Sequence, residues 1–385
     1  MLPAKRQALP ADKSASKDSV FTESWHRFIS CRSYYMLSTN CRRDFLKTTL
    51  AGGMAALIAN RLVRSVQAAA PVSPPPAATD GRPKVALTTG NQRTDNIVRA
   101  MKSMEKDIAE AIGKRRVVIK PNLVTANVAL ACSHADAIAG ILDFLKGIGK
   151  LDNTIIAESS ASNTQQGFQF NGYQKLSDTY KVKLVDLDQQ PFQTVMAISQ
   201  NDAKPHPVRV SSLMANQNEN FIISACMLKT HDRAVCTMGI KNVIVGAGIK
   251  FPRGGNDKQI LHGDGPFGIN INLAMLSPIL HPSLTVIDGF EGMEGNGPSN
   301  GSKVDHRVCV VSADYVAADA VGATLMGIGA DNVGYVTYLG NAGVGESDVT
   351  KMDIIGEPIA KLAKKYRLSN SSQTQLMWKQ PARVG

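Results

Sequence analysis

The run Phe221-Ile222-Ile223-Ser224-Ala225 leads into Lys229-Thr230-His231-Asp232. The same stretch, which begins at Asn220, continues through Lys241-Asn242 and a Gly-rich segment to His262-Gly263. An apolar, β-branched run of this length reads as a strand buried on both faces. Polar and charged groups resist burial, so an ending in Lys, Thr and His is costly if folding is its only purpose. The stretch therefore predicts a sheet interior with a cleft at the strand's carboxyl end.

Working outward, the composition predicts further strands over 84–87, 116–119, 154–157, 183–186, 208–210, 284–287, 307–311 and 352–355. Between them apolar residues recur at helical spacing. Ile97, Val98, Met101, Met104, Ile108 and Ile112 predict a helix over 95–112. Others are expected over 135–148, 165–180 with a break at Gly172, 269–280, 316–326 and 331–339, and residues 188–207 read as a polar loop. Strands alternating with helices predict an α/β fold. The sheet is expected to be largely parallel or mixed, with flanking helices, as one unit or as two α/β subdomains. Ligands of such sheets bind at the carboxyl ends of the strands. Five strands end in polar signatures: Lys120-Pro121-Asn122, Glu158-Ser159-Ser160, Lys229-Thr230-His231, Asp288-Gly289 and Asp314. In a parallel sheet all five would share one edge.

The bulk numbers exclude some function classes. The chain has 385 residues, 43% of them apolar, enough for a large core, but only 5% aromatic, too few for base-stacking platforms. Its net charge of +11 is unevenly placed: residues 1–70 hold 11 Lys/Arg against 4 Asp/Glu, and the remainder 32 against 28. The basic excess is mostly leader, so no nucleic-acid partner is expected.

That leader, 1–70, contains Cys41-Arg42-Arg43-Asp44-Phe45-Leu46-Lys47, an apolar run over 48–59, and Ala68-Ala69-Ala70. The order resembles a twin-arginine export signal over 41–68, with Cys in place of the usual Ser or Thr before the Arg pair. It implies export to the periplasm or beyond, with the twin-arginine machinery as a partner. The apolar run is too short for a stable span, so none is expected after cleavage. Met36 is a more natural start than Met1. A Pro-rich linker follows over 71–82, then the α/β domain over 83–360 and a polar tail over 361–385 that packs on the surface or frays. Beyond the leader, Cys132, Cys226, Cys236 and Cys309 are scattered without a Cys-x-x-Cys pair. An iron–sulfur cluster is not expected; these residues read as small buried apolar groups, with one or two disulfides as the alternative.

The chemistry-bearing residues follow from the strand ends. His231, Lys241 and His262 are the catalytic candidates, since imidazole transfers protons near neutral pH and a buried lysine can act as acid, base or imine-forming amine. Lys120, Asn122, Lys229, Thr230 and Asn242 are the substrate-binding candidates, with a cationic bias toward a small anion. The bland readings are a structural histidine at 231 and a helix-terminal Lys-Asn pair at 241–242. The segment 246–255 reads as a mobile Gly-rich lid with two cations, and it does not match a phosphate-binding loop. Asp288, Glu291 and Glu294 on a Gly-rich stretch could hold a divalent metal through oxygen ligands, although the spacing is not that of an EF-hand. Asp314 reads as a helix cap.

Taken together these signatures resemble the DUF362 family. The matching residues are Lys120-Pro121-Asn122, His134, Lys229-Thr230-His231, Lys241-Asn242, His262, Val286-Ile287-Asp288-Gly289, Glu294-Gly295-Asn296-Gly297-Pro298, Asp314, Ala317-Ala318-Asp319-Ala320 and Gly343-Val344-Gly345. The resemblance implies a shared fold and site over roughly 84–356, and no assigned reaction. Many members carry a ferredoxin-like module, for which this chain lacks the cysteines. A fainter likeness, to lactate-racemase-like proteins, rests on His231, Lys241 and His262 and would imply a nickel-pincer cofactor; the segment between Lys241 and His262 is longer than in that pattern. The reading is an exported enzyme that uses acid/base or metal-assisted chemistry on a small anion. The alternatives are a non-catalytic periplasmic metal- or anion-binding protein, or an accessory subunit of an exported redox complex.

Overall fold

A computed structural model describes residues 81–251 and 255–379. The expected twin-arginine signal, all but the end of the Pro-rich linker, and the last six residues of the tail lie outside them. In chain order the elements that matter here are β1 (Lys84–Thr89), α1 (Arg93–Lys102), α2 (Glu105–Ile112), β2 (Arg116–Lys120), α3 (Ala135–Gly147), β3 (Thr154–Glu158), α4 (Thr164–Phe170), α5 (Tyr173–Tyr180) and β4 (Lys183–Asp186). They continue with β5 (Phe192–Ile198), β6 (Pro205–Ser211), β7 (Asn220–Thr230), β8 (Cys236–Thr237), α6 (Gly239–Gly246), α7 (Asp257–Leu261), α8 (Pro266–Leu276), β9 (Leu284–Asn296), β10 (Asn300–Ser312), α9 (Tyr315–Leu325), α10 (Gly334–Asn341) and β11 (Asp353–Gly356).

The chain has an α/β fold built on a mixed nine-stranded sheet of order β11-β1-β10-β9-β7-β2-β3-β4, with β8 paired to β7. β7 lies parallel to both β2 and β9, and all 11 of its residues are buried. The sheet is covered on both sides, which is why its strands read as near-continuous apolar runs. Side chains alternate between two cores: Val118, Ile222, Ile287 and Val310 face α6, α8 and α9, whereas Val117, Ile119, Phe221, Ile223 and Val286 face α1 and α3. Among the described residues no helix is long and apolar enough to cross a membrane. Cys132, Cys226, Cys236 and Cys309 are all buried free thiols, as the apolar reading expects.

Five expectations are corrected. β7 does not stop at Ala225; it carries Lys229 and Thr230 inside the sheet, where they pair with Thr237 and Cys236 of β8. The stretch from Asp288 to Asn296 is not a loop. It extends β9 into a long antiparallel hairpin with β10, pairing Glu291 with Asp305 and Glu294 with Ser302. Its glycines serve close packing: a Cβ at Gly289 would sit 2.7 Å from Leu228. The predicted helix over 95–112 breaks at Ser103-Met104, and part of the supposed loop over 188–207 is β5, paired with β6. Finally, β10 runs antiparallel to both neighbours, so its carboxyl end lies at the opposite edge of the sheet. Asp314 is therefore remote from the other four signatures and caps α9 through the Val316 and Ala317 amides.

The described part of the tail packs against the β9–β10 hairpin and α10. Tyr366 bonds His306 (2.9 Å), and Trp378 meets Tyr338 edge-on.

Candidate functional site

At the carboxyl ends of β2, β3 and β7 the sheet opens onto two connected groups of polar side chains. The first is a network built from strand-end lysines and amides. Lys120, 1% exposed at the end of β2, donates to Glu158 at the end of β3 (2.5 Å), to Pro121 O (2.8 Å) and to Asn242 Oδ1 (3.4 Å). Glu158 also accepts from the Leu123 and Ser159 amides. Burial pulls the Lys120 ammonium below its ordinary range, and Glu158 opposes that pull. Asn242, on α6, ties the strands together: its amide donates to Lys120 O and Ser224 Oγ, both at 3.0 Å, and its oxygen accepts from Asn122 (3.1 Å). Asn122 in turn accepts from Lys229 (2.5 Å), which also donates to Ala131 O (2.8 Å). Lys229 has no carboxylate among these partners. Burial first, and Lys120 nearby, bring it down to about 8.

The second group contains the imidazoles. His231 follows β7 directly and is buried. Its Nδ1 accepts from the Arg233 amide (3.0 Å), which puts its proton on Nε2; exposed Asp232 lies 3.2 Å from the same nitrogen. His262 ends the short helix α7 and is partly exposed. A carbonyl can only accept, so the 2.7 Å contact between His262 Nδ1 and Lys258 O makes Nδ1 the protonated nitrogen. Its Nε2 is thereby free to accept from Lys241 Nζ at 3.3 Å. The rings of His231 and His262 stack at 6.0 Å between centroids, 18° from parallel. Burial first, then Lys241, lowers His231 well below its usual range and His262 to about 3. Burial, with Lys229 and Arg233 opposing further charge, lowers Lys241 to about 7.

The fold thus brings together His231, Lys241 and His262, and beside them Lys120, Asn122, Lys229 and Asn242. It gives Thr230 a structural task, since its hydroxyl donates to Gly295 O (2.8 Å). It does not assemble the expected metal ligands. Asp288 and Glu291 both face Arg93 (3.0 and 2.9 Å), Glu291 also takes Lys303, and Glu294 accepts from the Arg367 amide. Among the described residues no group of three His, Cys, Asp or Glu side chains is placed to hold a metal ion. The expected lid is also anchored: Ile249 donates to Arg209 O, and Lys250 is held by Asp188 and Ser160 O. Residues 252–254, which include Arg253, lie outside the described set. His134 caps α3 by accepting from the Asp136 amide.

Two participants were not among the expected site residues, although one of them, Asp319, stands in the matching family signature. Lys258 is buried, donates to Val245 O (3.3 Å) and Gly246 O (3.1 Å) at the end of α6, and is lowered to about 7, chiefly by burial. Its i,i+4 spacing to His262 on a short helix was the available signal. Asp319, on α9, accepts from the Gly239 (2.8 Å) and Ile240 (3.2 Å) amides and so fixes the start of α6, which carries Lys241 and Asn242. Burial raises it to about 7.

His262 also depends on a backbone contact. Gly263, with φ +65°, lies against Gly268, where an added Cβ would collide with the Gly263 carbonyl. Gly268→Ala is expected to destabilise the protein by about 1–3 kcal/mol, because backbone cannot give way as a side chain does. Urea unfolding of the variant measures it; a change within error would mean that the turn relaxes freely.

Residues 117–324 match the family model described as a domain of unknown function, DUF362. That is more than half of the chain, and the chain belongs to the DUF362 family. It is also 26% identical over 212 residues, 54% of its length, to a thylakoid-associated protein of Synechocystis. The chain spans 61% of that relative's length. These comparisons lend no support to the fainter lactate-racemase-like resemblance.

Proposed function

We propose that this DUF362 chain is an exported enzyme that binds a small anion at the carboxyl edge of its sheet. In this reading Lys241, His262 and His231 move protons, and Lys229 supplies the anchoring charge. The observation that carries it is an excess of buried cations: Lys120, Lys229, Lys241 and Lys258 are all buried, and Glu158 is the one carboxylate bonded to any of them among the described residues. An unpaired buried ammonium is costly and sheds its proton unless a counter-ion arrives. A bound anion would supply that counter-ion. Lys120 is already satisfied by Glu158 and serves to hold Asn242 and the strand ends in place. Export is supported by the order of elements over 41–68, with the twin-arginine machinery as the partner that reads them.

The test is a binding titration with inorganic phosphate and with pyruvate across pH. Lys229 deprotonates near 8, so affinity is expected to fall about tenfold per pH unit above that value. Lys229→Met should weaken binding and remove that dependence. Undetectable binding of both anions at neutral pH would overturn the reading.

A further inference from the structure

We propose that Lys241 is a covalent catalyst that condenses with the carbonyl of a small 2-oxo acid to form an imine, with His262 as its proton relay. This rests on the anion-site reading above and names the substrate class of that same site.

The partners of the four buried lysines separate their roles. Lys120 donates to Glu158, Pro121 O and Asn242. Lys258 donates to two carbonyls at the end of α6. Lys229 is held by Asn122 and Ala131 O. Amide and carbonyl oxygens keep a lysine in place without accepting its proton. Lys241 alone among these four rests against an imidazole lone pair, His262 Nε2 at 3.3 Å, and that nitrogen's tautomer is locked by the Lys258 carbonyl on the other side of the ring. An amine beside a proton acceptor, with no carboxylate bonded to it and only exposed Asp232 nearby to favour its charged form, suits nucleophilic attack on a carbonyl. The desolvation that favours a neutral Lys241 near pH 7 leaves Lys229 protonated to about 8, so one lysine can attack while the other holds the substrate carboxylate. His262 itself is partly exposed. A cavity of about 410 Å³ is walled by Asp232 and Arg233, which follow His231, and by Asp264 and Gly265, which follow His262; the lysines and the two imidazoles do not line it.

The step balances without an oxidant or reductant. The Lys241 nitrogen lone pair adds to the carbonyl carbon, and the surplus proton on nitrogen passes to His262 Nε2. That proton is returned to the alkoxide oxygen, giving the neutral carbinolamine; His262 then relays the second amine proton to the hydroxyl, and water leaves as the C=N bond forms. Because desolvation leaves His262 only weakly basic, it gives the proton back readily.

Full-length protein is incubated near neutral pH with pyruvate or 2-oxoglutarate, reduced with sodium cyanoborohydride, and mapped by peptide mass spectrometry. The expected result is a reduced adduct on Lys241, absent in Lys241→Met and slowed in His262→Gln, with circular dichroism confirming that both variants fold. If Lys241→Met does not fold, the position of the adduct in the wild-type protein decides. An adduct on another lysine, or none at all, overturns the proposal. Pyruvate binding without trapping rejects the imine and leaves the anion site standing. Failure of pyruvate, 2-oxoglutarate and phosphate to bind rejects both.

Discussion

Lys120→Met is expected to destabilise the protein by about 3–5 kcal/mol, the largest single effect anticipated for this site. The reason lies in what the substitution leaves behind. Glu158 is 2% exposed and accepts the Lys120 ammonium at 2.5 Å. Without that partner a carboxylate remains inside the sheet with two backbone amides as its donors. Asn242 loses one of its links as well, which loosens the start of the Lys241 helix. Removing both charges should be far milder, because replacing a buried pair by apolar groups of similar volume is often neutral. Urea unfolding of Lys120→Met, Glu158→Leu and the double variant forms a cycle that tests this. The double variant is expected to recover most of the single-variant loss. A loss in the double variant equal to the sum of the singles would show that the charges act independently and that the stranded-carboxylate account fails.

The second large effect is a rise in the stability of the ligand-free protein as pH is raised from 7 to 9. Lys241 and Lys258 are held at about 7 and Lys229 at about 8, whereas all three return to about 10.5 on unfolding. Across this interval the unfolded chain therefore binds more protons than the folded one, and stability rises with pH. The slope is about 1.4 kcal/mol per pH unit for each lysine that is neutral in the fold. The upper limit is set by the buried cysteines. Cys226, Cys236 and Cys309 are raised by burial, so above about pH 9 their ionisation in the unfolded chain works in the opposite direction. Urea titrations at a series of pH values measure the slope, and Lys241→Met should remove one lysine's share. A flat profile between 7 and 9 would mean that these lysines stay charged in the fold, which would also remove the free amine from the imine proposal.

Much of this architecture is legible in single stretches. The β-branched runs at 116–119, 154–157 and 221–225 are strands because both faces of the sheet are covered, and apolar side chains are then needed at every position. His231, Lys241 and His262 stand out because charge at the end of such a run is costly unless used. What remained hidden was pairing. Lys229 and Thr230 belong to β7 because β8 folds back on them, which no local pattern announces. The run from Asp288 to Asn296 has the glycines of a loop, yet it is a strand because β10 supplies its hydrogen bonds.

The sequence by itself determined the α/β class, the central strand and the residue types at its end, since these follow from hydrophobic period and from the cost of burying charge. Only the tertiary structure decided how those residues divide. Whether a lysine meets Glu158, a carbonyl or an imidazole depends on contacts between residues as far apart as Lys120 and Glu158 or Lys241 and His262. The reversal of β10 removed Asp314 from the site, and Arg93 took the carboxylates that had looked like metal ligands. The physical reason is that a side chain's protonation and role are set by its partners and its solvent, and the fold alone supplies both.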